Sequence, residues 1–197
     1  MTLNEYQKLA QRTSPTDHDK LKNGCMGLIG ESGEIVDLVK KYLFQSTPGT
    51  PLPTDKLIKE IGDVMWYIAE VATGMDVDLE HLLAFAYCGE FDERITISDY
   101  ALTISIHANT VYCKLFASKN KEVAALTIRH MYDLLCGLCT RIGTTIEHVQ
   151  EVNIDKLRKR YPDGFDPERS MNRPEYQRKE ETEPASGILF SERNRTV

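Results

Sequence analysis

The sequence predicts an all-α chain folded as an antiparallel helical bundle. Three observations lead there. Apolar residues recur at helical spacing from Leu3 to Arg160. Helix start and stop signals divide that stretch into segments of helical length. Alternating β-branched residues are confined to Ile95-Thr96-Ile97 and Leu102-Thr103-Ile104.

The elements follow in order. Thr2-x-x-Glu5 is a capping-box pattern that starts a short helix through about Arg12. Ser14-Pro15-Thr16-Asp17 is a turn, and a long helix then covers roughly Asp17 to Gln45. Pro48, Gly49, Pro51 and Pro53 make residues 46–53 a loop. Thr54 is the expected N-cap of a helix from Asp55 to Thr73, with Gly74 ending it. A further helix is expected from Asp78 to about Tyr87, followed by a polar connection at Gly89–Thr96. Helical spacing resumes from Ser98 to Ala117, and Asn120 caps the next helix, Lys121 to Ile142. Gly143 breaks that run, Thr144 or Thr145 starts the last core helix, and Tyr161-Pro162-Asp163-Gly164 stops it near Arg160.

The chain has 197 residues, enough for one domain with a sizeable core. Its net charge of −6 argues against nucleic acid as the main partner. No apolar run approaches the ~18 residues of a membrane span. Residues 1–5 carry neither a basic nor an apolar leader pattern, so the expected location is the cytoplasm. Five cysteines, an odd number, are expected as reduced core thiols, Cys136-Gly137-Leu138-Cys139 included. From Ser170 onward apolar residues thin out except for Ile188-Leu189-Phe190, and Arg178–Glu183 is a charged run. The expected organisation is a domain at 1–162 and a polar tail at 163–197.

Two acidic patterns stand out, Glu31-Ser32-Gly33-Glu34 and Glu60-Ile61-Gly62-Asp63. Side chains three residues apart on a helix are neighbours, roughly 5–6 Å between Cβ atoms. Two antiparallel helices can therefore bring all four carboxylates to one place. Glu31 falls inside the stripe of Leu28, Ile35, Leu38 and Tyr42, with Glu34 at its edge. Glu60 borders the stripe of Leu57, Ile61, Val64, Ile68 and Val71, and Asp63 lies further round. The first pair has no cation at helical spacing, and two close like charges repel by about 4 kcal/mol at an effective dielectric near 20. Lys56 and Lys59 offer ordinary surface partners to the second pair. On these residues alone a hard-cation site and a polar helix face both remain open.

A faint repeat is also present. Asp78-Leu79-Glu80-His81-Leu82 resembles Thr145-Ile146-Glu147-His148-Val149. In that register Glu60 and Asp63 fall opposite Thr127 and His130, and the helix around residues 102–116 matches the one carrying Glu31 and Glu34. The reading is an internally duplicated helical hairpin, with an acid-bearing half at about 17–88 and a degenerate half at about 98–161. His107 and His130 are expected as packed or solvated helix histidines, Lys40 and Lys41 as a solvated helix end, and Trp66 and Tyr67 as core.

The two acid pairs, the segment Gly62-Asp63-Val64-Met65-Trp66-Tyr67, the segment Asn153–Pro162 and the opening Tyr6-Gln7 together resemble the MazG-like all-α nucleoside triphosphate pyrophosphohydrolases. About seventy residues between the second acid pair and Asn153 set this chain apart from short members and are similar to the dimeric dUTPase branch. The resemblance implies Mg²⁺-dependent cleavage of a nucleoside triphosphate to monophosphate and pyrophosphate, with Mn²⁺ as a possible substitute. It implies metal ligation by Glu31, Glu34, Glu60 and Asp63, and a water-activating role for Glu31 or Glu34. Asn153, Lys156, Arg160 and Tyr161 would contact substrate, and the protein would pair as a homodimer. A dUTP- or dCTP-directed enzyme, a phosphoribosyl-ATP pyrophosphatase and a silent helical binding module are the alternatives.

Overall fold

The computed structural model describes residues 1–87 and 94–171. Most of the expected polar connection and the charged run with Ile188-Leu189-Phe190 lie outside them. The described residues are helical and contain no strand. The helices are α1 (Leu3–Gln11), α2 (Lys20–Phe44), α3 (Thr54–Gly74), α4 (Leu79–Leu82), α5 (Ile97–Tyr112), α6 (Lys121–Arg141), α7 (Ile146–Arg160) and α8 (Pro167–Met171).

Local chemistry explains most boundaries. Thr2 and Glu5 form the expected reciprocal cap on α1, and Asn120 caps α6. Thr145, the second of the two candidates, caps α7 through the His148 N–H. Thr96 and Asp99 form a capping box on α5 that the sequence reading passed over. Helix α2 starts three residues late because Asp19 is its cap, accepting from the Lys22 N–H. Thr54 is not a cap: Pro53 holds that position, and the Thr54 hydroxyl points back to the Leu52 carbonyl. Gly74 is the last residue of α3, and the left-handed turn residue is Asp76, at φ 60°. Gly74 is needed for space, since a Cβ there would sit 2.9 Å from the Leu21 backbone nitrogen. The expected helix at 78–87 shrinks to one turn, and Phe85 takes a left-handed backbone at φ 68°. The last turn of the expected 98–117 helix widens into a π-helical turn, Cys113–Ala117.

Helices α2 and α5 form the centre of the bundle and pack on each other. Helix α3 lies along α2, and α6 lies along α5, so two hairpins meet back to back. Helices α1 and α7 cover α3. Leu28, Ile35, Leu57, Ile61, Met65, Ile68, Ile104, Ile128, Met131 and Leu135 are fully buried and form one continuous core. Cys25 and Cys139 are buried thiols, as expected, whereas Cys113 is exposed and Cys136 is disulfide-bonded, which overturns the expectation for that residue. Residues 163–171, assigned to the tail, fold back instead. The Phe165 ring lies 6.0 Å from that of Tyr161, and its N–H donates to the Arg12 carbonyl.

Candidate functional site

Close packing of α2 on α3 builds the site. Gly27 gives Tyr67 its place, since a Cβ there would lie about 2.1 Å from the ring, and Gly24 does the same for Val71. This register sets Glu31 against the second acidic pattern. Carboxylate oxygens of Glu31, Glu60 and Asp63 all lie within 4.8 Å of one another. Glu34 is not part of that trio. It is exposed on α2 one turn beyond Glu31, although its charge still reaches Glu60.

The electrostatics are those of crowded anions. Burial, then Asp63, then Glu31 push the Glu60 carboxyl up to about 7, against a smaller opposing effect of Lys156. Asp63 is the compensated member. Lys156 on α7 donates to its Oδ1 at 2.5 Å and its Oδ2 at 2.6 Å. The Asn153 amide nitrogen donates to Oδ1 at 3.2 Å. The pair of basic neighbours considered for these acids on their own helix is thus replaced, at Asp63, by a lysine from the far end of the chain.

Asn153 is 2% exposed and both its amide atoms are engaged. Its oxygen accepts from the Tyr6 hydroxyl at 2.9 Å. That bond fixes which end of the amide faces Asp63. Gly62 makes the approach possible, because a Cβ there would lie 3.0 Å from the Asn153 side chain. Asn153 therefore holds Asp63. Tyr161 is 7% exposed within the core, and Arg12 clamps its carbonyl at 2.8 Å. Arg160 is partly exposed, one turn beyond Lys156 on α7. Lys40 and Lys41 both pair with Asp37, which fits a solvated helix end.

Sequence reading missed Tyr6 as the residue that orients Asn153. It also missed Glu70, which is fully buried on α3. Glu70 Oε1 meets His18 Nε2 at 2.5 Å and accepts from Ser14 at 3.1 Å and Asn23 at 3.3 Å, while Lys20 lies 3.5 Å from Oε2. An acid within Ile68-Ala69-Glu70-Val71-Ala72 was the available signal. The network ties the chain entering α2 to α3.

An oxygen-only donor set of three converging carboxylates on rigid helices fits a hard divalent cation. Burial raises the Glu60 carboxyl most, and the neighbouring Asp63 and Glu31 carboxylates raise it further. Fold and site together define an all-helical protein with an acidic cluster in one of two packed hairpins. Comparison with known proteins agrees: residues 20–86, which run from the start of α2 to just past α4, match the MazG nucleotide pyrophosphohydrolase domain. The match spans the first hairpin and includes all four acids. Over 54 residues it is 50% identical to the "Gene 37 protein" of Mycobacterium phage L5, which is 26% of this chain and 46% of that protein. The chain thus spans less than half the length of that curated relative. No solved structure matches the chain significantly. Among the described residues no helix is long and apolar enough to cross a membrane.

Proposed function

We propose that this protein hydrolyses nucleoside triphosphates to monophosphate and pyrophosphate, using Mg²⁺, with Mn²⁺ as a substitute. The convergence of Glu31, Glu60 and Asp63 within 4.8 Å, in a segment matching a nucleotide pyrophosphohydrolase domain, carries this reading. A divalent cation there would screen the triphosphate from the acids and lower the pKa of bound water. Glu31, Glu60 and Asp63 hold it. Glu34, exposed one turn away, completes the ligand set or accepts the proton of the attacking water. The water oxygen bonds to phosphorus, and the bond between the α- and β-phosphates breaks, releasing pyrophosphate. Lys156, its ammonium already at the cluster, donates to phosphate oxygens and keeps Asp63 in place. Arg160 supports the same charge from one turn away.

The substrate pool is cytoplasmic nucleotide, and the assembly is a homodimer. Ile106 and Tyr112 on α5 and Val123 and Leu126 on α6 are exposed apolar side chains available for pairing. The test is pyrophosphate release across a panel of ribo- and deoxynucleoside triphosphates. Release with Mg²⁺ and its loss with EDTA are expected. Its absence for every nucleotide with either Mg²⁺ or Mn²⁺ overturns the reading. The same panel separates a broad enzyme from a dUTP- or dCTP-directed one.

A further inference from the structure

Two side chains of α7 reach the same carboxylate, and they are held very differently. Asn153 is 2% exposed, and its amide nitrogen donates to Asp63 Oδ1 at 3.2 Å. Its oxygen accepts from the Tyr6 hydroxyl at 2.9 Å, so the amide has one orientation. Lys156 lies one turn on. It donates to Oδ1 at 2.5 Å and to Oδ2 at 2.6 Å from the end of a flexible four-carbon stem. The ion pair is mostly shielded from water, with side-chain exposures of 16% for Lys156 and 27% for Asp63.

The ammonium lies where a cation ligated by Asp63 would lie. A carboxylate offers about four lone-pair sites. Asp63 gives two on Oδ1 to Lys156 and Asn153, and one on Oδ2 to Lys156. Glu31 and Glu60 bring oxygens to within 4.8 Å of the Asp63 oxygen, which is the donor set proposed for the ion. Mg²⁺ sits roughly 2.0–2.1 Å from its oxygen ligands. An ion on either Asp63 oxygen is therefore no more than about 5 Å from the Lys156 Nζ. At that range a doubly charged ion and the ammonium repel about twice as strongly as two single charges. They also compete for the same oxygens.

We propose that Lys156 is a stand-in cation: it neutralises Asp63 in the metal-free protein, and an entering divalent ion displaces it and frees its ammonium for the phosphates of the substrate. The exchange rests on the acidic cluster being the metal site of the reaction proposed above. Asn153 keeps the exchange orderly. Fixed by Tyr6, it stays on Oδ1 when the lysine leaves, so Asp63 remains aimed at the ion. The two roles of Lys156 then belong to successive states, holding Asp63 before the ion enters and holding phosphate after it. Ion and triphosphate favour each other's binding, because the ion releases the ammonium that the phosphates need. A triphosphate without its ion meets three carboxylates and a lysine already engaged, and it is repelled.

The test follows the lysine Cε resonances of the full chain by NMR, with Lys156 assigned through its own backbone so that the readout needs no variant. In EDTA the Lys156 Cε should relax as a rigid, paired side chain. Saturation with Mg²⁺ should make it mobile, and a non-hydrolysable triphosphate should immobilise it again. In calorimetry without nucleotide, Lys156→Met, checked for unchanged helix content, should bind Mg²⁺ roughly fivefold or more tightly than the parent. Loss of a positive charge would by itself strengthen Mg²⁺ binding, but it does not produce the change in mobility of the parent's lysine. A Lys156 that stays rigid with Mg²⁺ bound, or a folded variant that binds Mg²⁺ no more tightly, overturns the exchange and leaves pyrophosphate release standing. Failure of both proteins to bind Mg²⁺ overturns the exchange and the metal site together.

Discussion

Glu60 shows what crowding does to one side chain. Its folded-state carboxyl titrates near 7, above its ordinary value of 4.5. The folded protein therefore holds a proton that the unfolded chain releases, and stability from this group is full below 4.5 and lost as pH rises through 7. With EDTA present, the melting temperature should fall between pH 5 and pH 8, and Glu60→Gln should flatten that slope. At pH 8, Mn²⁺ should raise the melting temperature, because a ligand bound only by the folded state stabilises it. A melting curve insensitive to Mn²⁺ at pH 8 would count against the acidic cluster as its site. Tyr6 acts at one remove. Tyr6→Phe removes only the hydroxyl that orients Asn153. Calorimetric Mn²⁺ affinity should drop roughly 10-fold or more, as for other groups that orient a ligand, with helix content unchanged. Glu34→Gln separates two roles: retained Mn²⁺ binding with lost turnover marks the proton acceptor, and loss of both marks a ligand.

Helix α3 presents chemistry in two directions. Glu60 and Asp63 face the acidic cluster, and two turns on, Glu70 anchors the segment leading into α2. The helix is held to α2 by glycines where side chains would collide. Gly27→Ala should destabilise the fold by about 1–3 kcal/mol, since Tyr67 must leave its rotamer or the helices must part. Chemical denaturation measures this, and an unchanged midpoint would mean that Tyr67 swings aside freely. Some caps written in side chains were legible, as at Thr2, Asn120 and Thr145, whereas those at Asp19 and Thr96 were passed over. Boundaries set by backbone geometry were not. Nothing local announces the left-handed Phe85 that limits α4, or the π-helical turn that closes α5.

The whole molecule joins the hairpin that carries the acidic cluster to a second hairpin through α2 and α5. Exposed Ile106 and Leu126 lie on the second hairpin, so pairing there leaves the acidic cluster of the first uncovered. Ile106→Asp should convert a dimer to a monomer in light scattering while preserving pyrophosphate release. A monomeric parent protein would remove the homodimer from the proposal.

Periodicity and spacing were enough to read the helical class and the two acid pairs, because each is a pattern within one or two neighbouring segments. Which acids meet could not be read that way. Glu31 and Glu34 are equivalent as a spacing, yet packing of α2 on α3 brings in Glu31 and leaves Glu34 at the rim. Lys156 and Asn153 reach Asp63 from ninety residues or more along the chain, and Tyr6 turns Asn153 toward it. Contacts of that range follow from how helices stack, and stacking depends on the shape of every side chain between them.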